Sequence, residues 1–293
     1  MKTTMKRNHL STIVPLIVGG FLATATLAFA QGSLTPPGAP APTMKSLNQI
    51  EPRTPITYDG YNISSPGSYY VTTNLTGSAY GSPGSAYGIF IASDNVTVDL
   101  NGFILQGVPG SYSGVYIYGS HTNIVVRNGT ITGWGVDGVT WNYPTLPGPQ
   151  NMVLENLTVS ANGHHGIAIA NGCTVSHCYV ENNQNVGILV DGDGSQIIGN
   201  TLVGNNKGNN AGSAAIALLG SNNRIEGNHV TGSGTAGDGI QFNNGGAINN
   251  VIIKNSVAGN GANNYTTAGG GGNDYGPVGT AATSTSPWAN ISH

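Results

Sequence analysis

Apolar and polar residues alternate in short runs from Gly88 to Val257, and the runs recur. Gly166-Ile167-Ala168-Ile169 is repeated after one turn as Gly187-Ile188-Leu189-Val190. The same tetrad is a small residue, a β-branched residue, any residue and a large apolar one. It opens at Gly88, Gly114, Gly138, Gly166, Gly187, Ala215 and Gly239, at intervals of 26, 24, 28, 21, 28 and 24 residues. From the fourth copy on, a second run follows with the form apolar-x-x-(Cys or Asn)-x-apolar. Its members are Val175/Cys178/Val180, Ile197/Asn200/Leu202, Ile225/Asn228/Val230 and Ile252/Asn255/Val257. Brief alternation rich in Ile and Val, bounded by Gly, Asn and Ser, marks strands and not helices.

Two or three short strands per copy predict an all-β fold, a single right-handed parallel β-helix of about seven to eight coils. Equivalent residues of successive coils then stack at roughly 4.8 Å. The Ile, Val, Leu and Phe positions become inward columns. Cys178, Asn200, Asn228 and Asn255 become a further column, in which side-chain amides bond to one another and to backbone up the stack. A leucine-rich repeat would need a denser Leu framework, and a left-handed hexapeptide helix would need an even period.

Composition narrows this further. With 46 glycines and only 7% charged residues, the chain is turn-dense, and its continuous repeat argues for one domain. Lys2, Lys6 and Arg7, an uncharged stretch from Ser11 to Phe29 and Ala28-Phe29-Ala30 form a secretory signal over residues 1–30, cut before Gln31. The rival is an uncut anchor, which Pro15, Gly19 and Gly20 disfavour. A Pro/Ala-rich linker is expected at 31–45 and the solenoid at 46–265, with Met44 to Glu51 as a short helix or cap and Ile63 to Leu75 as an irregular first coil. A Gly/Ser/Thr-rich tail follows at 266–293, in which Trp288 is offered as the cap of the C-terminal end. After signal removal six basic residues face twelve acidic ones, a net charge of about −6. That excludes nucleic acid as a partner, since its affinity comes from neutralised phosphates. Export permits a disulfide between Cys173 and Cys178, but strand cysteines read more simply as small buried hydrophobes.

Ser65-Pro66-Gly67-Ser68-Tyr69-Tyr70, Asn95-Val96-Thr97-Val98-Asp99-Leu100-Asn101-Gly102-Phe103 and Val126-Arg127-Asn128-Gly129-Thr130 resemble the first coils of secreted bacterial right-handed parallel β-helix repeat proteins. The leader from Leu34 to Lys45 and the endings Asn273-Asp274-Tyr275-Gly276-Pro277 and Pro287-Trp288-Ala289-Asn290 are similar too. The resemblance implies the fold and bacterial export, and carries over no catalytic residue. The wider superfamily resembled in fold includes pectate lyases, polygalacturonases, alginate-modifying enzymes and phage tailspikes, a weak warrant for function. Of the polygalacturonase motifs only Gly163-His164-His165-Gly166 and Arg224-Ile225-Glu226 come near, and both Asp motifs are missing.

The residues before successive openings include Asp137 and His165, which a regular stack makes vertical neighbours. A carboxylate beside an imidazole orients it and favours its protonated form, so Asp137, His165 and the adjacent His164 are the candidate catalytic set. A solvated Asp-His pair is the plainer reading. Trp134, Tyr143, Tyr116 and Tyr118 are candidate sugar-binding rings, with Phe90 beside them. The longest interruption, Asn142 to Asn151, would project a loop near them. Asp191 and Asp193 fail as an EF-hand, because Gln196 and Leu202 stand where Gly and Glu are needed. They stay as a looser calcium turn, with a surface salt bridge from Asp193 to Arg224 as the blander alternative. The expectation is thus an exported, secreted or periplasmic bacterial monomer without a membrane span after cleavage. It binds polysaccharide or cell-surface glycan along a lateral face, with lyase or glycoside hydrolase cleavage as the stronger form of that reading. The alternative is a catalytically silent structural or adhesive protein.

Overall fold

The computed structural model describes residues 52–79, 86–142, 148–242, 247–266 and 271–293. The expected signal, linker and N-terminal cap lie outside these residues, as does Tyr143. The described residues form strands and turns without any helix, hence no helix among them is long and apolar enough to cross a membrane.

The seven predicted openings are seven of the nine strands of one parallel sheet in a right-handed solenoid. They are Ile89–Ile91, Val115–Ile117, Val139–Trp141, Ile167–Ile169, Ile188–Val190, Ala214–Leu218 and Asp238–Phe242, with Tyr61–Ile63 before them and Tyr265–Thr266 after. Tyr61, Ile89, Val115, Val139, Ile167, Ile188, Ile216, Ile240 and Tyr265 sit in one register column. Alternation puts the first and third residues of each tripeptide inward, and Ile188 and Val190 are fully buried. The small residue at each opening has a steric cause. A β-carbon on Gly138 or Gly166 would lie 2.6 Å from the carbonyl oxygen of Gly166 or Gly187, one rung on.

A second, 18-stranded sheet forms the other sides of the coil. Thr122–Thr132 and Gln150–Ser160 run through the bend as single strands. Later rungs split there into pairs such as Thr174–Ser176 with Tyr179–Glu181, and Arg224–Glu226 with His229–Thr231. The predicted polar column lies at this bend. The Cys178 N–H donates to Asn200 Oδ1 at 2.9 Å, Asn200 N–H to Asn228 Oδ1 at 2.9 Å, and Asn228 N–H to Asn255 Oδ1 at 2.9 Å. Asn290, absent from the expected set, receives the Asn255 N–H at 3.0 Å and extends the ladder. Two further ladders serve the other turns, Cys173-Ser195-Asn223-Asn250-Asn273 and Asn162-Asn183-Asn205. Each satisfies backbone N–H groups that a bend would leave buried and unpaired. Asn95, Asn123 and Asn151 adopt positive φ, which Asn tolerates best among side-chain-bearing residues, and their amides link at 2.8 and 2.6 Å.

Four expectations change. The segment expected to form an irregular first coil is an ordinary rung, with Gly67–Val71 paired to Val96–Asp99 and to Thr54–Ile56. The expected tail continues the stack, because Asp274–Tyr275 pairs with Val251–Ile253 and Asn290–Ser292 with Ser256–Ala258. Trp288 does not plug the core; it is 52% exposed, and Lys254 Nζ lies 4.5 Å from its ring centre. The Asp193 to Arg224 bridge does not form, since Arg224 Nε turns to Glu226 Oε2 at 2.6 Å and Asp193 Oδ1 accepts the Ser221 N–H. Cys173 and Cys178 are both free and buried, and burial pushes the Cys178 thiol up to about 11.

Candidate functional site

The turn that leads into each strand of the nine-stranded sheet places one residue beside its counterpart on the next rung. Gly138 N–H donates to the His165 carbonyl at 3.1 Å, which fixes Asp137 and His165 on adjacent rungs as the spacing predicts. The side chains divide the contacts differently from the prediction. Asp137 Oδ1 accepts the backbone N–H of His165 at 2.8 Å and lies 3.0 Å from Nδ1 of His164. His164, not His165, therefore has its ring on the carboxylate.

The His165 ring is set deeper. Its Nδ1 is buried without a hydrogen-bond partner, and its ring centre lies 3.7 Å from that of His164. Removal from water pulls its pKa down to about 4; the nearby Asp137 charge opposes this and His164 adds to it. The expectation that Asp137 holds His165 protonated is thus corrected, because desolvation outweighs the one carboxylate. His165 is neutral near pH 7, and its buried Nδ1 has no hydrogen-bond partner in either tautomer. Ligand atoms of Asp137, His164 and His165 lie within 4.8 Å of one another, the one such group of three among the described residues.

A groove of about 280 Å³ opens over this cluster. Its floor is the outward column Tyr116, Thr140, Ala168 and Leu189; the turns entering these strands contribute Tyr87, Tyr112, Ser113, Asp137, His164 and His165, and Trp141 and Asn142 stand at the other end of one strand. No Lys or Arg lines it among the described residues. Next to it the rings form a continuous patch. Tyr87 stacks on Tyr116 at 4.3 Å and on Tyr112 at 5.3 Å, and Phe90 contacts Tyr116 at 5.5 Å and stacks on Tyr118 at 5.8 Å. Tyr118 is half exposed. Burial and the neighbouring Tyr87 push the Tyr116 phenol up to about 12, so it stays a neutral donor.

Two of the four predicted rings, Tyr116 and Tyr118, belong to this patch. Trp134 does not. It is 1% exposed, its Nε1 donates to the Leu105 carbonyl at 3.0 Å, and it fills a slot lined by Gly77, Gly88 and Gly114, where added β-carbons would meet its indole. It is a core residue, made possible by glycine. Tyr87 and Tyr112 are the rings that sequence reasoning missed. Tyr87 directly precedes the opening at Gly88 and Tyr112 stands two residues before that at Gly114, so spacing brings them to adjacent turns while the stacking of the rings is seen only in the structure. Asp191 and Asp193 gain no third His, Cys or carboxylate ligand among the described residues. Burial raises the pKa of Asp191, which disfavours the anion a cation would need.

The model of a family described as right-handed beta helix region matches residues 60–202 and 146–276. No curated protein matches the chain. Solved structures that share the fold include these two. The enzymatically active domain of tailspike protein 2 of bacteriophage CBA120 is 16% identical, with a TM-score of 0.52 over 73% of this chain and 38% of that one. A mutant of the periplasmic alginate epimerase AlgG is 17% identical, with a TM-score of 0.54 over 82% of this chain and 63% of that one. The chain spans less than two thirds of either protein, and at these identities the likeness is one of fold.

Proposed function

We propose that this chain, which belongs to the right-handed β-helix family, binds polysaccharide along the outer side of its nine-stranded sheet. The observation that carries this is the run of stacked rings, Tyr112, Tyr87, Tyr116, Phe90 and Tyr118, leading directly into a groove with a carboxylate and two imidazoles. Ring faces stack on the apolar faces of sugars, and the polar cluster reads hydroxyl groups. The glycan is neutral in this reading. The lining carries no Lys or Arg among the described residues, and Arg53, Arg127, Arg224 and Lys254 are all engaged by carboxylates elsewhere. A fold neighbour that is an alginate epimerase supports the assignment to polysaccharide in general.

Cleavage is the finer form of this proposal. Hydrolysis by two carboxylates would need a second acid across the groove, and Asp137 is the only one lining it among the described residues. A lyase-type abstraction, which in a neutral glycan requires an esterified uronate to acidify the proton removed, would fall to His165, whose ring is neutral near pH 7 and lines the groove. The silent structural reading also has an observation in its favour, because Asp137 spends an oxygen on the backbone of His165.

A glycan array probed with the chain from Gln31 decides between them. Tyr118→Ala and Tyr116→Ala are each expected to weaken binding of a hit about five-fold, the worth of roughly 1 kcal/mol of ring stacking, without shifting the melting temperature of Tyr118→Ala. Unsaturated product that disappears in His165→Ala would establish the lyase form. Binding to no glycan would leave the silent structural protein.

We propose export as well, supported by the leader and by the periplasmic location of the AlgG neighbour. Mass spectrometry of the protein from the periplasm or medium should find Gln31 as the first residue. Intact Met1 in a membrane fraction would overturn it.

A further inference from the structure

We propose that Asp137, His164 and His165 form a binding site for one divalent transition-metal ion of the imidazole-preferring kind, such as Zn(II). One carboxylate and two imidazoles, from two adjacent rungs, bring their ligand atoms within 4.8 Å of one another. Two imidazoles with a carboxylate make a donor set that zinc, nickel and copper favour over calcium or magnesium, which take oxygen ligands.

Three features separate this cluster from a chance surface group. Nδ1 of His165 is buried and has no hydrogen-bond partner, a costly state for a polar atom that metal ligation would relieve. The Asp137 side chain is only 9% exposed and is held in place by the His165 N–H, so the carboxylate is oriented before any ion arrives. The His164 side chain is 47% exposed and can swing. Bonds of about 2.0 to 2.2 Å in a tetrahedral site hold donors roughly 3.4 Å apart, so a group whose donors lie within 4.8 Å of one another needs only local side-chain adjustment. The ion would replace the present 3.0 Å contact of His164 with Asp137 Oδ1, which the half-exposed ring can release. Three protein donors leave a fourth position facing the groove, the arrangement of an open zinc site and not of a closed structural one.

This inference does not rest on the glycan reading, and its test contains no sugar. Untagged, chelator-stripped protein from Gln31 onward is titrated with Zn(II) by calorimetry. About one equivalent should bind, and X-ray data at the zinc edge should place it between the three side chains. Asp137→Asn, His165→Ala and His164→Ala should each weaken binding about ten-fold or more, with circular dichroism reporting whether each variant is folded. His164→Ala, at the half-exposed ring, keeps the test decisive if the buried variants do not fold. His121→Ala, which removes the separate exposed pair with Asp94, should bind as the parent does. Failure to take up zinc, uptake unchanged in His164→Ala, or loss of uptake in His121→Ala would overturn the assignment.

Discussion

Ile188→Asp is expected to unfold the middle of the stack at neutral pH and so to break the single cooperative melt. Ile188 is fully buried, in register between Ile167 and Ile216 and part of the continuous core cluster. The substitution removes a buried aliphatic side chain, worth about 2 to 5 kcal/mol when cut to Ala. It also places a carboxylate where no partner can reach it, a cost of several kcal/mol more. The sum approaches the total stability of an ordinary domain, about 5 to 15 kcal/mol. Tyr179→Asp is the control, because Tyr179 is 39% exposed on an outward position of a neighbouring side and should cost little. Thermal melting by circular dichroism reads both. A soluble Ile188→Asp protein with an unchanged midpoint would refute the assignment of that column to the core.

Asn228→Leu is expected to cost about 3 kcal/mol or more, although Leu fills similar volume and is more apolar. Asn228 Oδ1 accepts the backbone N–H of Asn200 at 2.9 Å and its Nδ2 at 3.0 Å, while Asn228 Nδ2 donates to the Ile197 carbonyl at 2.8 Å. Leu would strand a buried N–H and a buried carbonyl, each costing about 1 to 3 kcal/mol. Damage in a solenoid should stay near its origin, since each rung contacts only its neighbours. Native-state hydrogen exchange should therefore show lost protection at the Asn200 amide, with protection retained at distant rungs such as Val115. Asn228→Ser should fall between the two, as Ser195 already accepts the Cys173 N–H in another ladder at 3.0 Å. A Leu variant that melts like the parent and keeps the Asn200 amide protected would show that the ladder is not a source of stability.

The ladder shows how far sequence periodicity reaches. Cys178, Asn200, Asn228 and Asn255 are visible as a column because they recur at a fixed place between two apolar residues. Asn290 occupies the same column but follows a stretch without that pattern, and only the pairing of Asn290–Ser292 with Ser256–Ala258 reveals it. Tyr61 and Tyr265 were missed as rung positions for a related reason. The terminal strands depart from the aliphatic consensus, since each faces a neighbour on one side alone.

The candidate site divides in the same way. That Asp137 stands above His165 follows from chain spacing, because parallel register makes equivalent positions neighbours whatever the side chains are. Which imidazole receives the carboxylate does not follow from spacing. It depends on the direction each ring leaves the turn, and there the His164 ring meets Asp137 while Nδ1 of His165 is buried without a partner, though both residues line the groove. Trp134 makes the point most sharply. From the sequence it is a large ring on a turn beside exposed tyrosines. In the fold the missing β-carbons of Gly77, Gly88 and Gly114 leave a slot that takes the whole indole. The sequence by itself determined the solenoid, its rungs and its inward columns, since these depend on period and polarity. Burial, ring direction and hydrogen-bond partner were decided only by the tertiary structure, because they depend on the space left between residues far apart in the chain.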